Sequence, residues 1–265
     1  MNGLTDITNK EEGEDEKSSS FFLVSKIEIC PQNTKVVYNG VEVAYMGKYL
    51  FFDIDGTLYA PWRLTVRAIF RYARHCFFFL KYGLVRLEMH KMPPQQDFRR
   101  TQAQRMALRM KCSEQKAEDE LNRIVYHGME KYFPKISCFK GVPETFRKFK
   151  EAGLKIALLS DLPPEQKCEI WGIKPYCDAI LGTESLGALK PDSHSFLKMA
   201  EILGVEPSKI LYVGNSIKYD VKGSKNAGMK CAYIRSFWRK VFNKSIKDAD
   251  ICFSNYRQLQ EFVLE

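Results

Sequence analysis

From residue 141 onward, short apolar runs alternate with stretches of helical period. GVPETFRKFKEAG reads as a helix closed by Gly153, LKIALLSD as a strand, PPEQKCEIWG as a short helix and AILG as a strand. SHSFLKMAEILG, KILYVGNS, VKGSKNAG and KCAYI continue the series as helix, strand, helix and strand. Strands alternating with helices of this length predict right-handed βαβ units and a parallel sheet. Upstream, KYLFFDID predicts one more buried strand, ended by the turn residues of DGT. Residues 62–132 read as helical throughout, with breaks at Pro93-Pro94 and near Ser113, a residue suited to capping a helix. Residues 21–46 suggest strands, FFLVSKIEI and KVVYNGVEVAYM, the second folded at the hairpin signal Asn39-Gly40. The expected fold class is α/β: a Rossmann-like parallel sheet core with an inserted all-α domain after its first strand, and an N-terminal β extension.

Composition narrows the class. A chain of 265 residues can bury a sizeable core as one large domain, or as one domain with another inserted. With 45% hydrophobic and 28% charged residues it falls among ordinary globular chains rather than disordered ones. The eight cysteines are scattered without a CxxC pair, and the N-terminus carries no apolar signal region, so a reducing cytoplasm is expected. The apolar run from Cys76 to Leu80 is far too short to span a bilayer, and no transmembrane segment is expected.

Charge is unevenly placed. The net charge is +9, yet residues 1–20 hold six acidic against two basic residues and read as a disordered acidic tail. Residues 61–116 hold thirteen Lys or Arg against three Asp or Glu. On a helical wheel Arg67, Arg71, Arg74 and Lys81 form a stripe about 80° wide. Ile69, Ala73, Cys76, Leu80, Leu84 and Leu87 lie opposite, which predicts an apolar face buried and a basic face shown.

Candidate chemistry lies where the apolar strands end. In a parallel sheet, ligands bind beyond the carboxyl ends of the strands. Those ends carry Asp53 and Asp55, then Ser160 and Asp161, then Asn215, Ser216 and Asp220, with Lys190 in the loop GALKPD able to reach the same edge. Two carboxylates one residue apart at the end of a buried run cost several kcal/mol each unless something pairs with them. Either they sit on an exposed turn, or a cation completes them.

DIDGT, the Ser160-Asp161 pair, LKPD, and GNSIKYD followed by KNAGM occur in this order. Together they resemble the four motifs of the haloacid dehalogenase-like hydrolases, most of which are phosphatases, over about residues 48–253. The resemblance implies an α/β core over 47–60 and 135–265 and a helical cap over 61–134. It implies a magnesium-dependent phosphatase for a small, anionic phosphorylated substrate. Asp53 would be nucleophile and metal ligand, forming an aspartyl-phosphate. Asp55 would be the acid and base, lending its main-chain oxygen to Mg2+. Ser160, Asp161 and Lys190 would hold the phosphoryl group, with Gly56 and Thr57 beside it, and Asn215 and Asp220 would complete the metal site. Asn215 departs from the family, which commonly has an acidic residue there; an amide oxygen can bind magnesium but brings no charge. The rival reading is a non-catalytic phosphate-binding or interaction protein using the basic cap. A dehalogenase is disfavoured by Asp55, since that branch lacks the second aspartate.

The basic helices have three readings. They are a solvated face, or a field that steers an anionic substrate, or, least favoured, a surface for an anionic membrane or nucleic acid. No nucleic-acid motif accompanies them. His75, His90, His127 and His194 show no ligand spacing.

Overall fold

The computed structural model describes residues 36–38, 41–43, 48–167, 169–236, 239, 241 and 246–264. The acidic segment 1–20 and the strand expected in FFLVSKIEI lie outside them. The expected hairpin is present: β1 (Val36–Tyr38) pairs antiparallel with β2 (Val41–Val43), with Val37 opposite Glu42.

The core is a six-stranded sheet in the order β5-β4-β3-β6-β7-β8, parallel throughout. Its strands are β3 (Tyr49–Phe52), β4 (Lys155–Ser160), β5 (Ala179–Gly182), β6 (Ile210–Gly214), β7 (Lys230–Ile234) and β8 (Ile251–Phe253). From β3 the chain moves outward through β4 and β5, then returns to the other side of β3 as β6. The carboxyl end of β3 is therefore a topological switch point, where crossovers leave in opposite directions and a crevice opens.

β3 reads as an unbroken apolar run because both of its faces are covered. Leu50 and Phe52 point to one face, packed with Phe146 and Phe149 of α7 (Val142–Glu151). Phe51 points to the other, with Phe196 and Met199 of α8 (Ser193–Ile202). Past the strand, the Asp53 N–H still donates to the Val213 carbonyl at 2.9 Å, so the first aspartate is fixed by sheet geometry.

The all-α insert lies between β3 and β4. It contains α1 (Pro61–Arg67), α2 (Ile69–Arg74), α3 (Cys76–Met89), α4 (Phe98–Met110), α5 (Glu114–Leu121) and α6 (His127–Glu130), the last two joined by a π-helical turn. Ser113 caps α5 by accepting from the Lys116 N–H. The insert has a core of its own, including Val85, Met106 and Leu121. It enters and leaves the sheet at one place, where the Phe139 N–H donates to the Leu58 carbonyl at 2.8 Å.

Three expectations are corrected. Additional breaks interrupt the helical run at Ala68 and His75, whose ψ angles of 11° and 29° leave the helix. PPEQKCEIWG is not an α-helix. It is split into 3-10 helices over Pro164–Lys167 and Ile170–Gly172, where Trp171 takes the left-handed φ of 55° and its indole N–H donates to the Ile136 carbonyl. The third correction concerns the face expected to be buried in α1–α3: Ile69, Leu80, Leu84 and Leu87 are exposed. Leu64, Phe78, Val85 and Met89 fill the core instead, so these helices are apolar on both sides.

Candidate active site

Beyond the carboxyl ends of β3, β4 and β6, charged groups from separate parts of the chain meet. Lys190 is buried and reaches Asp53 Oδ1 at 2.6 Å, Asp220 Oδ1 at 2.9 Å and the Tyr212 hydroxyl at 3.3 Å. Burial opposes its charge, but Asp220 and Asp53 outweigh that and hold the ammonium well above its ordinary pKa. Asp220, expected among the metal ligands, is turned elsewhere: Oδ1 meets Lys190, and Oδ2 accepts the N–H groups of Asn215 at 3.1 Å and Ser216 at 2.9 Å. Gly214 leaves room for this carboxylate, since a Cβ there would lie 2.3 Å from that of Asp220.

Asp53 is 3% exposed, and its second oxygen accepts from the Thr57 hydroxyl at 2.8 Å. Burial pushes its carboxyl up to about 7; Lys190 pulls down, while Asp220 and Asp55 push further up. The cluster is short of positive charge. Three carboxylates, Asp53, Asp55 and Asp220, face two ammonium groups, Lys190 and Lys167.

Lys167 carries no sequence signature and was not expected. Its side chain is fully buried, 2.9 Å from Asp55 Oδ2, and donates to the Ser160 hydroxyl at 2.6 Å. The other Asp55 oxygen accepts from the Tyr59 hydroxyl at 2.6 Å, and Ser160 donates to Oδ2 at 2.9 Å. Burial raises the Asp55 carboxyl, but Lys167 with the hydrogen bonds from Tyr59 and Ser160 more than reverses this and leaves it below the usual aspartate value. The two neighbouring aspartates are thus driven in opposite directions. Tyr59, four residues after Asp55 on the same turn, and Tyr212, the hydroxyl inside the apolar β6, are also members that sequence reasoning missed.

One place among these groups faces oxygens only. Asn215 sits over Gly56, whose φ of +94° and missing side chain permit the approach; a Cβ would lie 2.4 Å from the amide. With its oxygen inward, Asn215 can accept only from Thr57, at 3.1 Å, whose single proton already serves Asp53. Turned over, the amide would donate to Thr57 Oγ1 and the Asp55 carbonyl at 3.1 Å and to Asp53 Oδ2 at 3.3 Å. The Asn215 amide thus stands against a carboxylate oxygen, a main-chain carbonyl and a hydroxyl. A hard divalent cation, taking carboxylate, amide and carbonyl oxygen, fits this donor set. Among the described residues no three His, Cys, Asp or Glu are grouped to hold a metal, so an ion here would need the amide and main-chain oxygens beside Asp53.

Ser160 and Asp161 are placed at this edge but are engaged. Besides its bonds to Asp55 and Lys167, Ser160 accepts from the Leu162 N–H. Asp161 accepts from Thr183 and the Lys190 N–H, and its carbonyl takes Arg86 of α3. Arg86 also meets Gln102 and the buried Glu184, to which Tyr126 donates, a polar seam between insert and sheet. His90 contributes to that seam by stacking on Tyr219, with ring centroids 4.5 Å apart.

The chain is 35% identical over 111 residues to a phosphoglycolate phosphatase of Aquifex aeolicus, covering 40% of this chain and 51% of that protein. It is 24% identical over 189 residues to the pyrophosphatase PpaX of Halalkalibacterium halodurans, covering 70% and 82%. Among solved structures, a HAD phosphatase from Thermococcus onnurineus superposes with a TM-score of 0.53 at 21% identity, over 81% of this chain and 97% of that one. L-2-haloacid dehalogenase from Xanthobacter autotrophicus gives 0.58 at 20%, over 83% and 99%. These last two speak for the fold alone. The family model of the haloacid dehalogenase-like hydrolases matches residues 50–234, from the strand of Asp53 to the end of β7, and the chain belongs to that family.

Proposed function

We propose that the chain is a magnesium-dependent phosphatase of small phosphorylated metabolites that works through an aspartyl-phosphate on Asp53, with residues 61–134 as its cap. The observation that carries this reading is the meeting of the Asn215 amide with Asp53 Oδ2 and the Asp55 main-chain oxygen, with Lys190 on the other oxygen of the same carboxylate. Asp53 Oδ2, the Asp55 main-chain oxygen and Asn215 Oδ1 would hold the ion. Magnesium, when bound, supplies the positive charge that polarises a phosphoryl oxygen and offsets carboxylate–phosphate repulsion.

Asp53 forms the new bond to phosphorus as the ester oxygen leaves. Lys190 favours its ionised form against burial and lends charge to the phosphoryl group. Asp220, through Lys190 and two N–H groups of its loop, positions both. Asp55 gives a proton to the leaving oxygen, then takes one from the water that hydrolyses the aspartyl-phosphate. In the resting arrangement Lys167 holds Asp55 ionised, ready for the second half of the cycle. A phosphoryl group arriving at Ser160 would draw Lys167 toward itself and free Asp55, whose side chain is 28% exposed, to take a proton from solvent before it gives that proton to the leaving oxygen. Both half-reactions then use one carboxylate.

Two of the relatives bear phosphatase names, and both carboxylates of DxD have work in this scheme. The side chain of Asp55 would have none in a dehalogenase. Turnover of an aryl phosphate with magnesium, compared with a chelator, tests the proposal. Asp53→Asn is expected to abolish it. Asp55→Asn is expected to slow it by about 10²-fold while the magnesium needed for half-maximal rate stays the same, because the ion takes the main-chain oxygen. No turnover over a broad panel of phosphorylated metabolites at saturating magnesium would leave the non-catalytic reading in its place.

A further inference from the structure

The exposed side chains of α1–α3 make no bond to the residues around Asp53, yet they are unlike those of a solvated surface. Trp62 and Val66 of α1 are one turn apart and open to solvent, Trp62 at 63%. Phe70 of α2 is 87% exposed and Phe77 of α3 77%. Leu80 and Leu84 extend the same row along α3 at the spacing of one helix face. The opposite side of these helices already supplies the core, so burying this row is not needed to fold the insert. So many large apolar side chains left exposed on three successive helices point to an interaction site.

The charge beside it indicates the partner. Residues 61–87 contain no Asp or Glu. Of the basic residues there, Arg63, Arg71 and Arg86 are spent on carbonyls and on Glu184. Arg67 and Arg74 are exposed, and with Lys81 they make no hydrogen bond or ion pair to another described residue. Large aromatic residues with unpaired cations at their side suit a surface that offers hydrocarbon below and negative charge above. α3, with 14 residues, is about 21 Å long, short of the ~30 Å of a bilayer's hydrocarbon, and no described helix is long and apolar enough to cross a membrane. The segment can lie on a bilayer, not span it.

We infer that the outer face of α1–α3 docks on an anionic lipid surface, with Trp62, Phe70 and Phe77 entering the headgroup boundary and Arg67, Arg74 and Lys81 meeting the phosphates. The docking is independent of turnover at Asp53.

Co-sedimentation of the full chain with phosphatidylcholine vesicles, with and without phosphatidylserine, tests this. The chain is expected to pellet with the anionic vesicles and far less with the neutral ones. Phe70→Ser with Phe77→Ser is expected to lower the partition coefficient at least about tenfold, since each loses several buried methylene equivalents. Arg67→Glu with Arg74→Glu is expected to remove the preference for phosphatidylserine. Both double variants should keep the parent's denaturation midpoint and its turnover of a soluble aryl phosphate, because all four side chains are exposed and none bonds to a residue of the site. Absence of sedimentation with anionic vesicles at low salt would overturn the inference. So would a Phe70→Ser/Phe77→Ser variant that pellets like the parent, or a vesicle-independent dimer that this variant dissociates. The last result would assign the face to a second copy of the chain.

Discussion

Replacing Lys167 by methionine keeps a long unbranched side chain in a fully buried position and removes only the ammonium group. At 2.9 Å from Asp55 and an effective dielectric constant of ~20, the direct attraction lost is about 6 kcal/mol. Part is returned, because the variant no longer has to bury the ammonium. Removing one partner of a buried pair costs ~3–5 kcal/mol in net terms. The Asp55 side chain is 28% exposed, so water relieves some of its loss and the lower end applies, about 3 kcal/mol. For a chain of this size that is roughly 6–12 °C in Tm. The pH dependence carries the sharper test. Asp55 holds its proton less tightly in the folded protein than in the unfolded chain, so the pair contributes stability above the ordinary aspartate pKa of about 3.9 and loses it as pH falls through the lowered folded value. In Lys167→Met only the hydrogen bonds from Tyr59 and Ser160 still oppose burial, so Asp55 loses the larger part of the stability it contributes at neutral pH. Urea denaturation of parent and variant, with chelator present, should therefore show a gap that is widest near neutral pH and narrows as pH falls through about 4. A gap of the same size at both ends would refute the electrostatic reasoning and assign Lys167 to packing and its bond to Ser160.

Asn215→Asp should lower the magnesium needed for half-maximal activity by about tenfold, since ~1.4 kcal/mol is modest for one charge beside a divalent ion; a titration at fixed ionic strength checks this, and an unchanged requirement would make Asn215 a bystander. Arg86→Met should destabilise by ~3–5 kcal/mol because Glu184 is left buried without its cation. Adding Glu184→Gln should recover part of that loss in chemical denaturation, and strictly additive losses would show that the two do not act as a pair.

The strands were legible from sequence because both faces of the sheet are covered, which makes each strand a short apolar run with its polar residues gathered at one end. Asp53, Asp55, Lys190 and Asn215 were found that way, and the structure brings them together. Asp220 was found too, but its partner was not: whether its oxygens face an ion or Lys190 depends on a loop whose two N–H groups turn toward it. Lys167 was invisible for a different reason. A lysine in a stretch of turns has no period to betray its burial, and the burial is tolerable only because Asp55 and Ser160 arrive from elsewhere in the fold. The orientation of α1–α3 was misread because a wheel separates apolar from basic positions but cannot choose between two apolar faces. β8 escaped notice because three residues set no pattern.

The hydrogen bond from Phe139 to Leu58 gives the molecule a kind of modularity. The chain leaves the sheet and comes back within the width of one peptide contact, so the strands on either side cannot register how much polypeptide passes between. Closing a loop that is twice as long costs only about 0.6 kcal/mol more. Descendants of this chain could therefore lengthen, shorten or wholly exchange the excursion, while the strand that carries Asp53 kept the neighbours it has now.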